Sequence, residues 1–115
     1  MDGVTIYRIA FGTDAQPDPW QQALMNSAWP KVLIAPTGSG KTAAVTLGWA
    51  AHRLRSPHEI PRRLVWCLPM RTLVEQTAEA IRGWLDRLAA HLNAPCALPG
   101  PNDVHVLMGL SLIHI

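Results

Sequence analysis

Residues Ala35-Pro36-Thr37-Gly38-Ser39-Gly40-Lys41-Thr42 stand between the apolar run Val32-Leu33-Ile34 and a stretch whose small and apolar residues recur at helical spacing. A strand that feeds a glycine-rich turn and then a helix start aims several backbone N–H groups, and the positive end of the helix dipole, at one point. That order restricts the chain to folds in which strand and helix meet at an anion-binding turn. Gly38 and Gly40 let the backbone adopt conformations that a Cβ obstructs, so the amides around Thr37, Gly38, Ser39 and Gly40 can converge on a polyphosphate. Lys41 adds a mobile charge for the β and γ phosphates, and the Thr42 hydroxyl can ligate Mg²⁺. Against the pattern G-x-x-x-x-G-K-[ST], the chain departs once, with Ala35 at the first glycine position.

The remaining composition sets bounds. At 115 residues and 49% hydrophobic content the chain can bury one small core, and a single domain or less is the limit. A net charge of +2 is too mild to identify a nucleic-acid binder by itself. Cys67 lies in an apolar run and Cys96 in a Pro-rich stretch, a usage that points to a reduced intracellular protein more than to a disulfide scaffold. No segment is long and apolar enough to span a membrane, and the first residues lack the features of a secretory signal, so the cytoplasm is the expected location. The five histidines show no metal-ligand spacing, and nothing in the sequence argues for a homo-oligomer.

Periodicity organises the rest. Residues 4–9 hold β-formers and read as a short strand or an extended lead-in. Asp18 followed by Pro19 reads as an N-cap and first helical residue, opening a helix to about residue 28 that Pro30 stops. Residues 31–35 are the first strand, and 40–55 a helix with Ala43, Ala44, Leu47, Ala50, Ala51 and Leu54 on its buried side. Residues 64–68 form an apolar run suited to a strand covered on both faces of a parallel sheet. A second helix is expected over 71–92, with the stripe Leu73, Thr77, Ala80, Ile81, Trp84, Leu85, Leu88 and Leu92, and with Arg82 placed to pair with Asp86. Residues 104–108 read as a third strand. Alternating strand and helix predicts an α/β fold with a parallel sheet flanked by helices. Arg53, Arg55, Arg62 and Arg63 read as helix-terminal and loop charges, and Trp49, Trp66 and Trp84 as core.

A resemblance sharpens this. Ala35-Pro-Thr-Gly-Ser-Gly-Lys-Thr42 resembles motif I of superfamily 2 helicases, Pro17-Asp-Pro-Trp-Gln21 resembles their Q motif, and Leu68-Pro-Met-Arg-Thr-Leu-Val-Glu-Gln76 resembles motif Ia. The resemblance implies a partial, truncated RecA-like lobe over residues 17–109, with 1–16 as an N-terminal lead-in. It implies ATP and Mg²⁺ as cofactors, with Lys41 and Thr42 at the phosphates and Gln21 on the adenine edge. An amide can meet an adenine's donor and acceptor together. Pro69, Arg71, Thr72 and Gly109 are the positions it assigns to nucleic-acid phosphates, Gly109 as the opening of the family's glycine pair. The wording of motif Ia is similar to that of CRISPR-associated type I effector helicases, which implies single-stranded DNA and an RNA-guided surveillance complex as partners. Family members carry an HD nuclease at either end or on a separate chain; the absence of a His-Asp dipeptide leaves none expected ahead of these motifs. Other superfamily 2 RNA helicases or restriction translocases share motif I, and a P-loop kinase or a non-catalytic nucleotide-binding module remain readings from other classes.

Two features limit the chemistry. Leu110-Ser-Leu-Ile-His-Ile115 arrives where a second glycine is expected and matches the translation of a transposon-derived sequencing adaptor, so 110–115 are expected to be an artefact. No Asp-Glu dipeptide occurs anywhere in the chain. Hydrolysis of ATP needs carboxylates to hold Mg²⁺ and orient water, and Asp103 precedes a strand where such a group should follow one. The chain as written is expected to hydrolyse no ATP.

Overall fold

The computed structural model describes residues 3–29, 33, 40–68, 71–92, 98–107 and 112–115. Among them the elements run α1 (Gly3–Phe11), α2 (Pro19–Asn26), α3 (Lys41–Arg55), β1 (Val65–Cys67), α4 (Arg71–Leu92), β2 (His105–Leu107) and β3 (Leu112–His114), with a 3₁₀ turn at Pro101–Asp103. The first expected strand, 31–35, lies outside the described residues apart from Leu33.

Helix α4 follows from its own stripe. Val74, Thr77, Ala78, Ile81, Trp84, Leu85 and Leu88 are all buried along one side, while Glu75, Gln76 and Asp86 are exposed. Leu73 is a correction: it is 39% exposed, because the buried stripe starts one residue later at Val74. The expected Arg82–Asp86 pair does not form either. Arg82 donates from Nη2 to the Val104 carbonyl at 3.1 Å and lies 3.8 Å from Glu79 instead. A charge-assisted bond to a fixed, partly buried carbonyl outweighs a solvent-exposed pair of long side chains, which gains little.

The alanines of α3 do the work their small size suggests. Ala43, Ala44, Ala50 and Ala51 are buried, and α2 packs along this helix. At Gly48 a Cβ would lie 3.0 Å from the Trp29 ring, a tight approach that a side chain there could take only if the ring gave way by a few tenths of an ångström. The arginines at the end of α3 are structural, as their helix-terminal position suggests. Arg53 donates to the carbonyls of Pro57 and Ile60, and Arg55 to those of Met25 and Asn26. They tie the following loop and the end of α2 to α3.

Residues 4–9 are helical, which corrects the expected strand or extended lead-in. Gly3, Ile6 and Ala10 share one face of α1 and are buried, and α1 contacts α2, α3 and α4. Burial of a 3.6-period face overrides the β preference of Val, Thr, Ile and Tyr. Ile6, Ala10, Met25, Leu47, Ile81, Leu85, Leu88 and Ile113 belong to one hydrophobic cluster joining helices and sheet.

The sheet departs from expectation most. Its order is β1-β3-β2, and β3 pairs antiparallel with both neighbours, Ile113 lying opposite Trp66 on one side and Val106 on the other. β1 and β2 therefore point the same way, as a crossover through α4 requires, but the last residues of the chain lie between them. The parallel sheet is thus not what the described strands form. β1 is also not covered on both faces: Val65 and Cys67 are exposed and only Trp66 turns inward. A strand covered on one side only buries alternate residues.

Candidate nucleotide site

Gly40 is the N-cap of α3 and holds a left-handed conformation, φ 86° and ψ 29°. Only glycine adopts this without penalty. The carbonyl of Gly40 accepts the first intrahelical bond, from Ala44 N–H at 3.0 Å. The cap has no side chain to turn back onto the helix, so α3 supplies no acceptor for the amides of Lys41, Thr42 and Ala43. Those three donors and the positive end of a 15-residue helix form an anion cradle. Lys41 and Thr42 sit in its first turn, both half-buried. Among the described residues no carboxylate pairs with Lys41. The positions expected to complete the turn, Thr37, Gly38 and Ser39, lie outside the described residues.

Gln21 joins this turn from the other side. It occupies the third position of α2, where Asp18 is the N-cap and Pro19 stands at the start of the helix, as the sequence predicts. Its side chain is 3% exposed. Gln21 Oε1 accepts from the Asp18 amide at 2.8 Å, and Gln21 Nε2 donates to the Gly40 carbonyl at 3.2 Å. The two partners fix the amide's orientation, since one can only donate and the other only accept. The neighbouring Gln22 bonds instead to the Pro17 carbonyl at 3.3 Å and does not reach Gly40. Sequence reasoning placed Gln21 at the nucleotide but missed its bond to the cap. Nothing local signals a contact across 19 positions.

The motif Ia residues are only partly described. Arg71 opens α4, Thr72 is exposed in its first turn, and Pro69 and Gly109 lie outside the described residues. Asp103 is not positioned as a metal carboxylate: it closes the 3₁₀ turn ahead of β2, its Oδ2 accepting from Gly100 N–H at 2.9 Å. Among the described residues no group of His, Cys, Asp and Glu has the arrangement of a metal site, and no helix is long and apolar enough to cross a membrane.

A glycine-capped helix start, a lysine at its first position and a glutamine bonded to the cap are compatible with the phosphate-loop class of nucleotide-binding proteins. The DEAD/DEAH box helicase family matches residues 13–110, most of the chain, and the chain belongs to that family. It is thereby a superfamily 2 helicase domain, of a family that uses ATP and Mg²⁺ and whose lobes are RecA-like. No curated protein and no solved structure matches the chain.

Proposed function

We propose that this chain is part of the first lobe of an ATP-dependent DNA motor of CRISPR interference, contributing the phosphate turn and the first nucleic-acid-contacting motif. The observation that carries the nucleotide part is the left-handed Gly40 cap, which leaves the first amides of α3 for phosphate oxygens. Lys41 would hold the β and γ phosphates, beside the amides of the first turn of α3. Bound Mg²⁺ would neutralise phosphate charge, with the Thr42 hydroxyl among its ligands. A glutamine amide offers two donors and two acceptor lone pairs, and Gln21 spends one of each internally. One donor and one acceptor remain for an adenine edge. Because the residue is 3% exposed, reading the base requires the start of α2 to shift.

The DNA part rests on the wording of motif Ia. Pro69, Arg71, Thr72 and Gly109 are assigned to the phosphates of a single strand, and an RNA-guided surveillance complex in the cytoplasm is the partner that would deliver it. The missing Asp-Glu pair favours nucleotide binding without turnover in this chain, the carboxylates being supplied by sequence beyond residue 109. Residues 110–115 are read as adaptor-derived; the family match ends at 110. Reading the source DNA at codon 110 tests this, and a genomic locus that continues with these six codons refutes it.

The nucleotide reading is tested by titrating fluorescent ATP with Mg²⁺ into the chain and into Lys41→Ala. Loss of a charged hydrogen-bond donor should weaken binding about tenfold to a hundredfold. Equal affinity of the two proteins would remove the foundation of the proposal, and phosphate release above blank would refute the absence of turnover. Anisotropy with single-stranded DNA and RNA of one sequence decides the nucleic acid: preference for RNA would point to an RNA helicase.

A further inference from the structure

Where the end of α1 meets the last turns of α4, an open cavity of about 810 Å³ is lined by Thr5, Arg8, Thr13, Arg87 and His91 among others. It shares no residue with Gln21, Gly40 or Lys41. Its two arginines come from helices far apart in the sequence, and each is braced by a backbone carbonyl. Arg8 donates from Nε to Ala15 at 3.2 Å and from Nη2 to Gln16 Oε1 at 2.9 Å. Arg87 donates from Nε to the Ala10 carbonyl at 2.6 Å. A guanidinium has five N–H donors, so both keep donors unspent. Among the described residues neither has a carboxylate in ion-pair range, and no carboxylate lines the cavity.

The contrast with the other arginines is informative. Arg53 and Arg55 spend their donors on carbonyls that close a loop and a helix end, and Arg82 sits beside Glu79. Arg8 and Arg87 instead hold full positive charge at a concave surface, with two threonines and a histidine beside them. Braced guanidinium forks with neighbouring hydroxyls are the donor set that phosphate oxygens select.

We propose that this cavity is an oxyanion site that takes a phosphate group, distinct from the turn ahead of α3. Arg8 and Arg87 grip the oxygens from opposite helices, and His91 and Thr13 line the same cavity. A free phosphate and the backbone of a nucleic-acid strand present the same chemistry, and the test separates them. The proposal does not rest on the nucleotide reading above.

The experiment follows the arginine Nε–Hε resonances of the ¹⁵N-labelled full chain at constant ionic strength, titrated with inorganic phosphate or with an oligo-dT strand. Arg8 and Arg87 should shift together and saturably, with chloride causing no such change. Arg8→Gln, at an exposed position, should weaken the binding read at Arg87 about tenfold or more, and Arg87→Lys should do the same to Arg8 by removing the fork. Saturation by phosphate alone identifies a free phosphate as ligand. Saturation by the oligonucleotide, reversed by phosphate, identifies a strand backbone. No saturable change with either, or changes that survive Arg8→Gln, would overturn the site. Lys41→Ala should leave these shifts intact, so failure of the nucleotide reading and failure of this one are separately visible.

Discussion

The side-chain amide of Gln21 donates to the carbonyl of Gly40 at 3.2 Å, and the space beside Gly40 is filled by that same amide: a Cβ on Gly40 would sit 2.6 Å from Gln21 Nε2. Glycine at 40 is favoured by its positive φ, and a Cβ there would also push the Gln21 amide off the Gly40 carbonyl. The N-cap of α3 and the start of α2 are thereby coupled. Gly40→Ala should cost about 1–2 kcal/mol for the left-handed conformation alone, and displacement of Gln21 adds to this. Thermal unfolding should show the loss, and ATP affinity should fall with it.

Gln21→Glu separates the two bonds. A carboxylate still accepts from the Asp18 amide but cannot donate to Gly40, and it sets an acceptor against an acceptor inside a site that is 3% exposed. The expected cost is about 1–3 kcal/mol at neutral pH, measured by urea unfolding. Unchanged stability would mean that the bond to Gly40 contributes nothing to the fold.

Thr46 lies on the buried side of α3 at 1% exposure, and among the described residues its hydroxyl has no hydrogen-bond partner. Replacing an unsatisfied buried hydroxyl with a methyl of similar shape removes a desolvation cost. Thr46→Val should raise stability by about 1–2 kcal/mol, seen as a higher Tm. A fall in Tm would show that the hydroxyl finds a partner in solution.

Tyr7 is the one tyrosine of the chain. Burial first, and the nearby Asp18 carboxylate second, push its phenol above the ordinary value. The folded state thus holds the proton more tightly than the unfolded chain. Its contribution to stability is complete below the unfolded pKa of about 10 and is lost as pH rises through the higher folded value. Phenolate absorbance should appear only above the ordinary range, and Asp18→Asn should bring it part of the way back. Titration at the ordinary value would contradict the packing of α1 against α2.

How much of this was legible in the sequence depends on the range of the forces involved. The α4 range, the Asp18-Pro19 helix start and the buried alanines of α3 follow from spacing within a few turns, and the structure reproduces them. Helix α1 was misread because Val4, Thr5, Ile6 and Tyr7 carry β propensity, a weak preference that burial of Ile6 and Ala10 overrides. The bond from Gln21 to Gly40 and the placing of Arg8 and Arg87 on one cavity are products of tertiary packing. No window of sequence contains them.

The sheet poses the last test. Ile113 is fully buried between Trp66 and Val106, and Ile115, two residues on, exchanges both backbone bonds with Leu64, at 2.9 and 3.2 Å. Pairing of this kind depends on alternating apolar residues and free strand edges, whatever the origin of the residues, so an adaptor-derived tail can complete a sheet as well as a native one. Ile113→Ala should cost about 2–5 kcal/mol, the range for emptying a packed core site. Ile113→Asp should abolish the pairing, and hydrogen exchange at the Leu64 and Ile115 amides reads it directly: slow in the parent, fast in the variant. Fast exchange at both amides in the parent would mean that β3 does not hold β1 and β2 together, and the sheet would then have to be completed by other strands.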